Sequence, residues 1–235
     1  MAVERIDYQA GSVKGKGALV YNEKIKGPRP LLLVAPNWLG VTETAIKRAA
    51  KMAGDKYIAF VVCMYGGGKT CAGPPESQDM MMSVRADRVE GRKRIVAALN
   101  AMIAEADKRG IGDSKRKAAV GFCFGGGNVL ELARTGADVN AVICLHGDLA
   151  TTMPAKKGGI KSAVFVLHGS KDPVAPKKDR DALEAELDAA GANWQMLDFG
   201  GRLHSFSEEE TMMPGVAEYH AGAAHQTYQI GRAHV

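Results

Sequence analysis

One heptapeptide constrains this chain more than any other stretch: Gly121-Phe122-Cys123-Phe124-Gly125-Gly126-Gly127. It follows the apolar run Ala118-Ala119-Val120 and leads into Asn128-Val129-Leu130-Glu131-Leu132-Ala133. Read by period, that is a strand, a tight turn and a helix in succession. Glycine at 121 and 125 leaves room where a side chain would strike the neighbouring strand and helix, and the turn pushes its central residue outward. Cys123 then stands at a helix N-terminus, where backbone N–H groups and the dipole favour a thiolate. The Gly-x-Cys-x-Gly spacing is that of a mounted nucleophile, with cysteine where serine is commoner.

Two other uses of such a turn stand beside this one. A cysteine between a strand and a helix also serves as a small buried hydrophobe. A glycine-rich turn can cradle a dinucleotide, but Gly-x-Gly-x-x-Gly is absent because Cys123 occupies its middle position. The rest of the chain decides between them. At 235 residues, with 46% apolar and 24% charged residues, it has the length and composition of one α/β domain with a full-sized core, residues 1–235. No apolar run approaches the ~18 residues that span a bilayer, and Met1 to Asp7 lacks the basic and apolar regions of a signal peptide. The expectation is a cytoplasmic protein, or one whose leader has been removed. Cysteines at 63, 71, 123 and 144 show no Cys-x-x-Cys spacing, which speaks against a zinc site or redox dithiol. The net charge of +5 is scattered, and its one compact cluster, Lys115-Arg116-Lys117, has no interleaved aromatics. Neither nucleic acid nor a membrane is expected as a partner.

Residues 4–8 and 17–22 alternate like the strands of an edge hairpin joined by a turn over 11–17. Leu31 to Ala35 is a continuous apolar run, suited to a strand buried on both faces. Thr42 and Glu43 open a helix reaching Ala53, and Tyr57 to Met64 is the next strand. Tyr65-Gly66-Gly67-Gly68-Lys69-Thr70 fails as a phosphate loop, since the required earlier glycine is Cys63 and no helix follows; it reads as a mobile surface loop. Ser77 to Arg109 is helical with a break expected near Gly91, and Met80-Met81-Met82 within it reads as core filling. After a turn at Ile111–Ser114 and the cysteine turn, strands follow at Asn140–Leu145, Ala163–Leu167 and Trp194–Phe199, with a helix at Lys177–Ala190 and a closing helix over 214–229. Alternation of this kind implies one doubly wound, mainly parallel sheet flanked by helices. The last residues, about 228–235, lack an apolar stripe and are expected to be frayed or altered by cloning.

A nucleophile on such a sheet needs an acid and then a histidine, each after a later strand, in the chain order of α/β-hydrolases. Asp172 lies in the loop past Val164–Leu167, and His204 in the loop past Leu197–Phe199. Strand carboxyl ends share one rim, so the three groups are expected to converge. His204 would take the thiol proton and return it to the leaving group, and Asp172 would fix the tautomer. The oxyanion hole would use the N–H of Phe124 and one from the Pro36–Leu39 loop, that of Trp38. Asp172 before Pro173 is also a turn former, and His168 and His146 at strand ends read as structural hydrogen-bonding residues.

These residues resemble the dienelactone hydrolase family, also called carboxymethylenebutenolidases. The resemblance is carried by Gly121-Phe122-Cys123-Phe124-Gly125-Gly126, the Asp172 loop and Gly200-Gly201-Arg202-Leu203-His204-Ser205-Phe206. It implies an α/β-hydrolase fold without a large cap, no cofactor and no metal, and hydrolysis of small-molecule esters or lactones through a thioester. Two positions depart from the family pattern. Asn37 stands where a glutamate usually helps manage the thiol proton, leaving that proton to His204. Ser207-Glu208-Glu209-Glu210 stands where an arginine grips a substrate carboxylate, and Glu208 would repel one. Asn37, Arg85, Arg202 and Phe206 are the substrate-binding candidates, although either arginine alone reads as exposed charge. A monomer or weak homodimer is expected. Thioester hydrolysis on the same triad and a redox-sensing thiol on a hydrolase scaffold are the alternatives.

Overall fold

Apolar runs broken by glycine and proline become the strands of an eight-stranded main sheet in the computed structural model, which describes residues 1–233. The chain divides into two units, Met1–Ala119 and the part from Val120 onward.

In the first unit, β1 (Ala2–Ala10) and β2 (Val13–Tyr21) pair antiparallel, with only Gly11 and Ser12 between them. The expected hairpin is therefore present with longer strands and a tighter turn. Gly11 has φ 58°, in the left-handed region that favours glycine, and the Glu90 carboxylate packs against it. Next come β3 (Arg29–Ala35), α1 (Glu43–Ala53) and β4 (Ile58–Val61), in the strand order β1-β2-β4-β3, with β3 and β4 parallel. Thr42 caps α1 by accepting from the N–H of Ala45, and Ala45, Ile46, Ala49 and Ala53 form its buried stripe.

Several expectations for this unit need correction. The loop from Tyr65 to Thr70 is held at several points: Gly67 N donates to Lys14 O, Gly68 N to Cys63 Sγ, and Thr70 bridges Gly40. The helical stretch is broken at Asp87, not Gly91, giving α2 (Glu76–Ala86) and α3 (Arg88–Lys108). Asp87 accepts from the N–H of Glu90 and so starts a new helix, while Gly91 lies buried inside α3 against Val84. The methionine triplet is not core: α2 buries Ser77 and Val84, and Met82 is 49% exposed. The expected turn at Ile111–Ser114 is already strand, because β5 runs from Gly112 to Phe122 and includes the basic cluster.

β5 carries the chain into the second unit, where the strand order continues β5-β6-β7-β8. Its elements are α4 (Phe124–Arg134), β6 (Ala141–Leu145), β7 (Ala163–Gly169), α5 (Lys177–Ala190) and β8 (Trp194–Phe199). β6, β7 and β8 pair parallel, and all five β6 residues are buried, as the apolar run requires. α5 buries Leu183, Leu187 and Ala190 on one stripe and ends at left-handed Gly191. The closing helix begins later than expected. A short hairpin, β9 (Met212–Met213) with β10 (Ala217–Glu218), precedes α6 (Ala221–Ala233). α6 takes in 228–233 of the tail expected to fray; residues 234–235 lie outside the described residues. Among the described residues, no helix is long and apolar enough to cross a membrane.

Candidate active site

Cys123 sits between β5 and α4 with φ 53° and ψ −118°, a backbone conformation that L residues rarely adopt. Its carbonyl starts α4 by accepting from the N–H of Gly126 at 2.9 Å and of Gly127 at 3.3 Å. Such a turn exists only because its flanks lack side chains. A Cβ on Gly121 would lie 2.1 Å from the carbonyl oxygen of Gly125, and one on Gly126 would lie 2.7 Å from the Cα of Gly147. The tightness pushes the sulfur out: Cys123 is partly exposed, whereas Cys63, Cys71 and Cys144 are buried. Burial pushes the Cys144 thiol up to about 12, which leaves it inert.

Asp172 follows β7 and is buried. Its Oδ1 accepts from the N–H groups of Val174 at 2.8 Å and Ala175 at 3.1 Å, so the turn-forming and site-forming uses of this residue coincide. The other oxygen, Oδ2, lies 2.7 Å from Nδ1 of His204. His204 follows β8 and is fixed from both sides of its backbone: its N–H donates to Val216 O and its carbonyl accepts from Glu218 N. The β9–β10 hairpin thus anchors the histidine, a support that the polar, glycine-containing stretch 207–216 did not announce. Gly169 allows the acid loop to approach closely, since a Cβ there would meet the carbonyl oxygen of Arg202 at 2.5 Å.

Nε2 of His204 is sealed from solvent and lacks a partner in normal hydrogen-bond geometry. Burial opposes charging of this ring. The Cys123 sulfur, by charge and by a still-loose hydrogen-bonding approach, outweighs that together with the Asp172 carboxylate, and His204 is raised well above the usual histidine range. Catalytic hydrogen bonds are often long before substrate arrives, so the loose approach is compatible with proton transfer.

The second unit therefore brings together Cys123, Asp172 and His204, with the Phe124 N–H at the first position of α4. Phe206 is not on a binding surface. It is 0% exposed and packs on Phe199 and His146, with ring centroids 4.8 Å and 5.2 Å away. Arg202 turns back on its own loop, with Nε donating to Gly200 O. Glu208 is buried and accepts from the Ser205 hydroxyl at 3.2 Å rather than projecting toward a ligand. His168 is buried with Nδ1 unpartnered, which departs from the hydrogen-bonding role expected of it. His146 takes that role in full, through both ring nitrogens.

The remaining candidates belong to the first unit. Asn37 is buried, and its Oδ1 accepts from the N–H of Leu39, folding the loop after β3 into a tight turn. Trp38, on that turn, is half-buried and its carbonyl accepts from Tyr65 Oη at 2.8 Å and Cys71 Sγ at 3.4 Å. Arg85 is half-buried in the last turn of α2. Among the described residues, no group of three His, Cys, Asp or Glu side chains is placed to hold a metal ion.

Comparisons with known proteins bear on the family and the fold. Residues 17–230 match the sequence model of the dienelactone hydrolase family. A protein of Yersinia pestis that carries the provisional name carboxymethylenebutenolidase is 24% identical over 214 residues, 86% of this chain and 76% of that protein. An uncharacterized Caenorhabditis elegans protein is 31% identical over 145 residues, 59% of this chain and 87% of that one. The crystal structure of a dienelactone hydrolase-like promiscuous phosphotriesterase from metagenomic libraries superposes with a TM-score of 0.90 at 32% identity, covering 98% of this chain and 95% of that one. A turn that strains a partly exposed cysteine, a buried aspartate–histidine pair after later strands, and a match over most of the sequence lead to one conclusion: this chain is a hydrolase of the dienelactone hydrolase family, with the α/β-hydrolase fold.

Proposed function

We propose that the protein hydrolyses carboxylic esters or lactones through a thioester on Cys123. The observation that carries this reading is the buried 2.7 Å contact between His204 Nδ1 and Asp172 Oδ2, with the other face of the imidazole turned to the Cys123 sulfur. Asp172 holds the ring with its proton on the Nδ1 side and stabilises the charged form. The Cys123 thiolate attacks the substrate carbonyl, and the Phe124 N–H at the start of α4 donates to the oxyanion. His204 gives its proton to the leaving alkoxide, which departs as the thioester forms. Water then loses a proton to His204 as it attacks the thioester, and the acid leaves with the thiolate restored. On a lactone, the alkoxide stays tethered and the product is a hydroxy acid. Asn37 cannot accept a proton as a carboxylate does, so the reading assigns every proton transfer to His204.

The test is a burst experiment with p-nitrophenyl acetate on wild type and Cys123→Ala, followed by intact mass. A burst with an acetyl adduct on Cys123, lost in the variant, is the expected result. Unchanged turnover in Cys123→Ala would sink the reading. Phosphotriester hydrolysis is a second reading, favoured by the 32% identity to a promiscuous phosphotriesterase. Cys123-dependent p-nitrophenol release from a p-nitrophenyl dialkyl phosphate would support it.

A further inference from the structure

A second histidine, His146, lies edge-on against His204. His146 follows β6, is 0% exposed and holds φ at 37°, one of only three positive values at non-glycine residues among the described residues. The other two are the nucleophile Cys123 and Ser205, which directly follows the base. Strain of this kind persists only where the surroundings over-determine it. Both ring nitrogens are used. Nδ1 lies 3.3 Å from the backbone N of Cys123, which also donates to Leu145 O at 3.1 Å. Nε2 lies 2.7 Å from the Ser207 hydroxyl oxygen. A backbone N–H can only donate, so Nδ1 is the acceptor and Nε2 carries the proton. The ring's own backbone N–H is tied to Leu167 O at 2.7 Å, at the end of the strand that leads to Asp172. Its edge contacts complete the set: His204 at 5.7 Å between centroids and Phe206 at 5.2 Å, both T-shaped.

We infer that His146 is a positioning residue for the triad: its neutral ring ties the amide of Cys123 to the segment carrying His204 through Ser207, and so fixes the sulfur–imidazole separation. Cys123 stands on a strained turn and His204 on a loop, and the direct approach of the sulfur to the imidazole is itself loose. A ring with one acceptor and one donor, bonded at both ends, is a spacer of set length. The thiolate and the imidazole must both reach one carbonyl carbon, and a misplacement of ~1 Å is enough to lower a rate 100-fold. This inference rests on Cys123 and His204 acting as nucleophile and base.

The experiment measures kcat and KM for p-nitrophenyl acetate, and the rate of Cys123 alkylation by iodoacetamide. It compares wild type, Cys123→Ala, His146→Leu, His146→Asn and Ser207→Ala, each checked for folding by thermal unfolding. His146→Leu keeps the volume and loses both bonds; kcat is expected to fall roughly 10- to 100-fold with KM within about twofold. Asparagine tolerates positive φ, and its Oδ1 takes the place of Nδ1 opposite the Cys123 amide but leaves Ser207 unreached, so His146→Asn should recover part of the loss and resemble Ser207→Ala. Ser207→Ala leaves the ring but frees its Nε2 end, and kcat and the alkylation rate should both fall roughly three- to tenfold. If the leucine variant fails to fold, the asparagine and Ser207 variants carry the test. Wild-type kcat in Ser207→Ala, or in a folded His146→Leu, would overturn the inference, as would an asparagine variant no better than leucine. Turnover that depends on Cys123 but ignores His146 defeats this inference alone. Turnover indifferent to Cys123 defeats the proposed mechanism, and the inference with it.

Discussion

At the scale of single residues, the site is a set of side chains each held in a state it would not choose in water. Cys123 stands at positive φ on a turn that Gly121 and Gly126 leave room for. His204 is buried, which by itself favours the neutral ring, yet the Cys123 sulfur and Asp172 raise it well above the usual histidine range. His168 has the opposite balance: burial lowers it, and the nearby Asp172 and Asp198 do not compensate. A direct prediction follows for His204. In Cys123→Ser the negative sulfur is replaced by a neutral hydroxyl, so the largest raising influence disappears and the imidazole should titrate at lower pH than in wild type. Imidazole nitrogen shifts followed by NMR across pH 5–9 check this. An unchanged titration would mean that Asp172 alone sets the proton affinity of the ring. That Cys123, Asp172 and His204 would meet was legible in the sequence, because glycine spacing and chain order mark them. Phe206 was misread because its neighbours in sequence are site residues while its neighbours in space, Phe199 and His146, are core.

Among the secondary-structure elements, the orientation of α4 matters most, because its N-terminus carries Cys123 and Phe124. α4 is fully buried along its length, and Arg134 in its last turn is locked. Its Nη1 donates to Glu131 at 2.9 Å, while Nε and Nη2 form a two-pronged contact with Glu186 of α5 at 2.9 and 2.8 Å. Nη2 also reaches Leu149 O, and Glu186 accepts from Ala155 N, so the loop after β6 joins the same clamp. Burial disfavours the guanidinium charge, but the two carboxylates raise it overall. Arg134→Ala would leave two buried carboxylates without their cation and should destabilise the protein by about 3–5 kcal/mol. Urea unfolding measures this; a loss below about 1 kcal/mol would mean water replaces the guanidinium without penalty. The helices and strands around this clamp were readable from periodicity. α5 and β8 match their sequence bounds, since each has a uniform pattern and a clear stop. The β9–β10 hairpin was not readable: its strands are two residues each, too short for any period to show.

For the whole molecule, acid is the condition that should undo the fold. Glu90 of α3 accepts from the backbone N–H and the hydroxyl of Ser12 and is paired with Arg94, which holds its carboxyl down to about 2 from an ordinary 4.5. Glu4 is lowered in the same sense by Arg109 and Tyr21. A carboxylate depressed in the native state contributes stability that is complete above its unfolded value and lost as pH falls toward its native one. Stability should therefore decline between pH ~4.5 and ~2, and Glu90→Gln should flatten that decline while lowering stability at neutral pH. Urea midpoints measured from pH 7 to pH 3 test both; parallel curves for wild type and variant would exclude Glu90 as a contributor. The amino-acid sequence by itself determined the fold class, the order of its strands and helices along the chain and the convergence of Cys123, Asp172 and His204. These depend on local period, on glycine where a turn admits nothing larger, and on chain order. Only the tertiary structure decided what individual polar residues do: Glu208 accepts from Ser205 inside the protein, Asn37 closes a turn, and His146 accepts from the amide of Cys123 while meeting the hydroxyl of Ser207. The physical reason is that a buried polar group must find a partner wherever the packing puts one. That partner lies 61 residues away along the chain for His146 and Ser207, a distance that no sequence period spans.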